Sequence, residues 1–206
     1  MLTMPRVFLI HGWDGRPENH WIPYLSLDLK ANGFEVNAPQ MPNAGEPKVK
    51  EWLSFLKDYV GKPDNDTYFI GHSLGCITVA RYLESLSGTP SAFGISPSKE
   101  VERKKEKSKV GGCVFVAGFS GRINVPEIKE FYELPFDAEK AKTHCDKFVM
   151  IFSDNDRYVP MEKSLEMARE LGAKTILERG KGHFTAKDGV SALPVAFTAL
   201  LRISED

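Results

Sequence analysis

Gly71-His72-Ser73-Leu74-Gly75 lies between an apolar run, Tyr68-Phe69-Ile70, and a helix-like run from Cys76 to Leu83. A serine framed by two glycines at a strand-to-helix junction is a nucleophile raised on a tight, strained turn. Glycine is needed on both flanks because side chains there would collide with the strand and the helix. The hydroxyl then emerges beside a helix N-terminus, where developing negative charge is favoured. The chemistry open to such a serine is acyl transfer, provided that a base and a group orienting that base stand next to it.

Both partners follow later in the chain. The apolar run Lys147 to Phe152 leads into Ser153-Asp154-Asn155-Asp156-Arg157-Tyr158-Val159-Pro160. The run Lys174 to Leu177 leads into Glu178-Arg179-Gly180-Lys181-Gly182-His183-Phe184. The order serine, acid, histidine, with the acid and the histidine each after a strand, suits a serine-histidine-acid relay. The glycines at 180 and 182 let the loop bend so that the imidazole of His183 faces Ser73. Two acids compete to orient it. Asp156 opens Asp-x-x-Val-Pro ahead of a helix and is favoured; Asp154 lies nearer the strand and reads otherwise as a turn-capping carboxylate. An oxyanion would be met by backbone N–H groups, one from Leu74 after the serine and one from Trp13 in the loop after the first strand. Gly12 allows the close approach that this requires.

Other residues read more plainly. His11 and His72 are local hydrogen-bonding or packing groups, and His20 is placed on a helix surface. His144-Cys145-Asp146 does not read as a metal site, because adjacent residues rarely point at one ion. Cys76 is inert packing on the buried face of the helix after Ser73. No metal and no cofactor are expected.

The elements that must position these residues alternate. Strands are expected at Arg6–Ile10, Phe34–Ala38, Thr67–Ile70, Gly112–Ala117, Lys147–Phe152 and Lys174–Leu177. Helices are expected at Asn19–Lys30, Lys48–Val60, Gly75–Ser87, Met161–Leu171 and Ala192–Arg202. Continuous apolar strands separated by helices indicate an α/β fold, a doubly wound, mostly parallel sheet of about six strands covered on both faces. In such sheets functional groups gather at the carboxyl ends of the strands. The aromatic segment Phe119–Asp146 is read as a small cap. The segment 87–110 is read as a long charged excursion, with six basic and three acidic residues from Lys99 to Lys109. A solvated loop is the plain reading of it, a docking patch or lid the sharper one. Trp13, Phe119, Phe131, Tyr132, Tyr158 and Phe184 are expected to line an apolar pocket.

A chain of 206 residues with a net charge of −1 fits one domain with a substantial core. That charge gives no reason to expect nucleic acid or a membrane surface as partner. Three scattered cysteines do not make a disulfide framework. With no signal-peptide pattern at the start, a cytoplasmic location is expected.

These motifs resemble the serine hydrolases of the retinoblastoma-binding protein 9 and YdeN type, a small branch of the α/β-hydrolases. The likeness is carried by His11-Gly12-Trp13, Asn19-His20-Trp21-Ile22-Pro23, Pro39-Gln40-Met41-Pro42-Asn43, Glu51-Trp52-Leu53, Gly71-His72-Ser73-Leu74-Gly75, Asp156-Arg157-Tyr158-Val159-Pro160 and Gly182-His183-Phe184. It implies a compact hydrolase domain over residues 1–206, a triad of Ser73, Asp156 and His183, and esterase-like activity on small acyl substrates. The Leu-x-Cys-x-Glu peptide of the retinoblastoma-binding member has no counterpart before the strand at Thr67, so that binding is not implied. The competing expectation is a regulatory protein-binding module on the same scaffold. Its protein partner is unknown, and the charged excursion would be its contact surface.

Overall fold

The structure, a computed structural model, describes residues 4–87 and 109–205. Most of the charged excursion at 87–110 therefore lies outside the described residues. Six strands, β1 (Arg6–Ile10), β2 (Glu35–Asn37), β3 (Thr67–His72), β4 (Gly112–Val116), β5 (Phe148–Phe152) and β6 (Lys174–Leu177), form one sheet in the order β2-β1-β3-β4-β5-β6. Every pairing is parallel. The strand order reverses between β1 and β3, and a ligand crevice belongs at the carboxyl ends there. Gly12 follows β1 and Ser73 follows β3, so the two loops meet at that crevice.

The apolar residues of each central strand divide by the period of two between two faces. Phe8, Ile10, Phe69, Cys113, Phe115, Phe148, Met150 and Phe152 point to one core. Val7, Leu9, Tyr68, Ile70, Val114, Val116, Val149 and Ile151 point to the other. Helices α2 (Val49–Val60), α3 (Leu74–Ser85) and α6 (Met161–Leu171) cover the first face. Helices α1 (Ile22–Ala31) and α7 (Pro194–Glu205) cover the second. Among the described residues no helix is long and apolar enough to cross a membrane.

Of the boundaries that differ from expectation, three do so for a local reason. Helix α1 starts at Ile22 instead of Asn19, because His20 adopts φ +57° and Pro23 occupies the first turn. Helix α7 starts at Pro194, whose missing N–H is one of the donors that a helix start would leave unpaired anyway. Strand β3 runs on through Gly71 and His72, so the whole reversal falls on Ser73.

The segment expected to be a cap is an integral part of the first layer. It holds α4 (Glu130–Glu133) and α5 (Ala138–Lys142), and α5 packs against α3 and α6. Ile123, Val125, Ile128, Phe131 and Ala141 are buried in that core. Arg81 of α3 is 1% exposed and ties the segment down. Its guanidinium donates to the carbonyls of Phe131, Leu134 and Pro135. It also lies 3.8 Å from Glu84 and 5.7 Å from the ring centre of Phe136. Burial lowers its pKa to about 10, which leaves it charged at neutral pH. Arg81→Met keeps the stem but strips three carbonyls of their donor. Buried unsatisfied groups cost about 1–3 kcal/mol each, so a loss of about 2–4 kcal/mol is expected in urea titration. A loss below about 0.5 kcal/mol would mean that water replaces the guanidinium without penalty.

Candidate active site

Ser73 has φ +52° and ψ −117°, a conformation suited to glycine and strained for an L-residue with a side chain. The turn survives because its surroundings over-determine it. A Cβ at Gly71 would lie 2.8 Å from both N and Cα of Cys76. A Cβ at Gly75 would overlap the carbonyl oxygen of Ile10 and sit 2.9 Å from that of His11. The Ser73 N–H donates to the Val116 carbonyl of β4 at 2.8 Å, locking the elbow to the sheet. Leu74 is the first residue of α3, and first-turn amides have no partner four residues back.

The β1 loop is packed directly on this turn. A Cβ at Gly12 would approach the Ser73 Cβ to 3.1 Å and its Oγ to 3.6 Å, so glycine eases a main-chain approach that a side chain would crowd. His11 braces the loop. Its Nδ1–H donates to the Gly12 carbonyl at 2.8 Å, and its Nε2 accepts from the Met41 amide at 2.9 Å. Trp13 is tied by its indole N–H to the Gly45 carbonyl.

In the loops after β5 and β6, Asp156 meets His183. Its Oδ2 lies 2.7 Å from the His183 Nδ1, with the carboxylate side chain only 2% exposed and the imidazole side chain 10%. The other carboxylate oxygen accepts from the amides of Tyr158 and Val159, which fixes its direction. Asp154 faces elsewhere. It accepts from the Gly180 amide at 2.8 Å and from Arg179. With Ser153, which accepts from the Lys181 amide, and Asn155, which accepts from that of Gly182, it staples the β5 loop to the β6 loop.

Two residues outside the expected set hold His183. Asp188 accepts from the backbone N–H of His183 at 3.1 Å and from both N–H and hydroxyl of Thr185. Burial pushes its carboxyl up, but these bonds and the nearby Arg157 guanidinium prevail and hold it below its ordinary value. A Cβ at Gly182 would lie 2.5 Å from that carboxylate, and φ there is +52°. The pattern Thr185-x-x-Asp188 is a capping box, the signal by which sequence could have found it. His72, the residue before Ser73, donates from Nε2 to the His183 carbonyl at 2.9 Å. His20 is not on a helix surface. It stands in the turn before α1, with its ring 5.7 Å from that of His72, and it accepts the Ala186 N–H.

The expected pocket lining needs correction. Phe119, Phe131 and Phe184 are fully buried and offer no surface to a ligand. Phe119 and Phe131 belong to the core beneath the 119–146 segment, where Phe131 meets Trp52 edge-on. Phe184, with φ +55°, turns its ring into the opposite core. Tyr132 faces a separate cavity of about 490 Å³ bordered by Pro126 and Pro160. Trp13 and Tyr158 remain, 36% and 43% exposed, with the Tyr158 ring 5.1 Å from that of His183.

The buried imidazoles imply a pH dependence. Burial, reinforced by the neighbouring His183, drives His72 well below its ordinary pKa, and burial also lowers His11. Below about pH 6.5 the unfolded chain takes up protons that the folded chain refuses, so stability falls as pH falls and is fully present above 6.5. Each histidine that stays neutral contributes a slope of about 1.4 kcal/mol per pH unit. Urea titrations at pH 7.0 and 5.5 should show the acid sample less stable. Equal midpoints would mean that these rings accept protons in the folded state.

An all-parallel sheet of this order, with a serine on the strained turn after β3, defines the α/β-hydrolase fold. A family model described as serine hydrolase matches residues 7–202, and the chain belongs to that family. It is 29% identical to the YdeN protein of Bacillus subtilis over 196 residues, 95% of this chain and 94% of that protein. The crystal structure of YdeN superposes with a TM-score of 0.81, covering 98% and 99% of the two chains at 26% identity. Rat serine hydrolase RBBP9 is 25% identical over 176 residues, 84% of this chain and 78% of that protein. Est1E of Butyrivibrio proteoclasticus, with ferulic acid bound, shares the fold at a TM-score of 0.67 and 16% identity, covering 98% of this chain and 88% of that one.

Proposed function

We propose that the protein hydrolyses small carboxylic esters through an acyl-enzyme on Ser73, within one hydrolase domain. The observation carrying this reading is the buried Asp156–His183 couple at 2.7 Å, in a chain whose candidate nucleophile Ser73 is strained out of ordinary backbone geometry. Because a carboxylate only accepts, His183 holds its hydrogen on Nδ1 and leaves the Nε2 lone pair to act as base. In the first half-reaction Nε2 takes the Ser73 proton while Oγ bonds to the ester carbonyl carbon. The carbonyl oxygen gains the negative charge and meets the N–H groups of Leu74 and Trp13. The imidazolium, stabilised by Asp156, passes its proton to the departing alkoxide as the carbon–oxygen bond breaks. In the second half-reaction water repeats the attack on the acyl-serine, releasing the acid and restoring Ser73. Losing one oxyanion donor typically costs about 2.7–4 kcal/mol of transition-state stabilisation.

Tyr158 supplies exposed aromatic surface beside His183, and Trp13, in the loop after β1, supplies more. The ferulic acid bound to Est1E is a small aromatic acid, which adds aromatic acyl groups to the esters to be tried. A fluorophosphonate probe at neutral pH tests the reading, with mass spectrometry locating the adduct. Attachment to Ser73 and turnover of p-nitrophenyl esters are expected. No labelling would favour a binding protein built on the hydrolase scaffold.

A further inference from the structure

His72 lies deep between the elbow and the histidine loop, 4% exposed, with the rings of Trp21, His20 and His183 at 5.6, 5.7 and 5.1 Å. Its Nε2 is 2.9 Å from the His183 carbonyl oxygen. A carbonyl only accepts, so Nε2 carries the hydrogen. His183 is thereby held at three points: its ring by Asp156, its backbone N–H by Asp188 and its backbone C=O by His72. The first two come from the loops after β5 and β6. Only the third comes from the strand that carries Ser73.

Resting on the reading of His183 as the base, we propose that His72 is a positioning residue that sets the distance between the imidazole of His183 and the hydroxyl of Ser73. The backbone of residue 72 leads directly into the strained turn, so one stretch of β3 orients the hydroxyl and, through its neighbour's side chain, the loop bearing the base. The alternation of the strand makes this possible. Consecutive side chains of a strand leave opposite faces, and His72 is the last residue of β3 before the reversal at Ser73. The role also calls for a neutral ring. A second positive charge 5 Å away would oppose the imidazolium that forms on His183, and burial keeps His72 uncharged.

The test compares His72→Phe, which fills the space without a donor, with His72→Gln, whose side-chain amide can donate to the same carbonyl. Misplacing a catalytic group by about 1 Å can slow a reaction by about 100-fold. His72→Phe should therefore lower kcat for p-nitrophenyl acetate by about 10- to 100-fold, with KM changed less than about threefold. His72→Gln should return to within about fivefold of the natural protein. Unchanged kcat in His72→Phe would overturn the proposal. Equal losses in both variants, tracking equal losses of stability, would reduce His72 to packing and also overturn it. A measurement on the natural protein covers the case in which His72→Phe does not fold. Nitrogen-15 NMR should find His72 neutral, with its hydrogen on Nε2; a hydrogen on Nδ1 alone would sink the idea. Fluorophosphonate labelling separates this claim from the one beneath it. A natural protein that does not react removes both, whereas a reactive one with an unimpaired His72→Phe removes only this one.

Discussion

Asp156→Asn is expected to lower kcat on p-nitrophenyl esters by about four orders of magnitude, while Asp154→Asn lowers it less than about tenfold. The two acids are two residues apart on one loop, and the geometry separates them. Asp156 Oδ2 faces the His183 Nδ1 at 2.7 Å, and its Oδ1 accepts from Tyr158 and Val159. Asparagine can keep its oxygen on those two amides, so the loop holds its shape. Its NH₂ then points at Nδ1 and forces the histidine hydrogen onto Nε2, where the lone pair is needed. The loss is one of tautomer and charge, not of folding. Asp154 instead accepts from Gly180 and Arg179. Its substitution loosens the contact between two loops and leaves the imidazole its partner. Steady-state kinetics on both variants, with urea midpoints alongside, decide the matter. The reverse order of effects would hand the orienting role to Asp154.

Ser73→Gly should abolish turnover, by about five orders of magnitude or more, and yet make the protein more stable. The positive φ of Ser73 stores about 1–3 kcal/mol that glycine does not pay, offset by about 0.5–1 kcal/mol of extra chain entropy in the unfolded state. A net gain near 1 kcal/mol corresponds to a rise of about 2–4 °C in Tm at this chain length. Ser73→Ala is the control. It loses the hydroxyl equally but keeps the Cβ and the strain, so its Tm should stay within about 1 °C of the natural protein. Calorimetry on the three proteins reads this directly. Equal Tm in the glycine and alanine variants would mean that the turn is relaxed as it stands. Retained turnover in either would remove Ser73 from the proposed chemistry.

Much of this was legible one-dimensionally. Apolar runs bounded by helical periods reported the four inner strands, because a strand buried on both faces has no polar side to show. The exposed edge strands β2 and β6 were reported by their place in the alternation with helices. The elbow was legible because its glycines answer steric demands made within a few residues. Asp188 was legible in principle through its capping box. Other features were not. Phe119, Phe131 and Phe184 look like any loop aromatics in sequence, yet all three are consumed by the two cores. Arg81 reads as one more charge on a helix until three carbonyls from the 131–135 segment are brought to it.

By itself, then, the chain determined the parallel sheet, the turn that presents Ser73 and the order in which the acid and the histidine follow. These depend on hydrophobic period and on sterics between near neighbours. Tertiary structure turned the preference for Asp156 over Asp154 into a contact with His183, and it alone decided which aromatic rings stay exposed and that His72 holds the loop of residue 183. Those outcomes join groups 27 and 111 positions apart, and such distant groups meet only where packing of the two layers sends their loops.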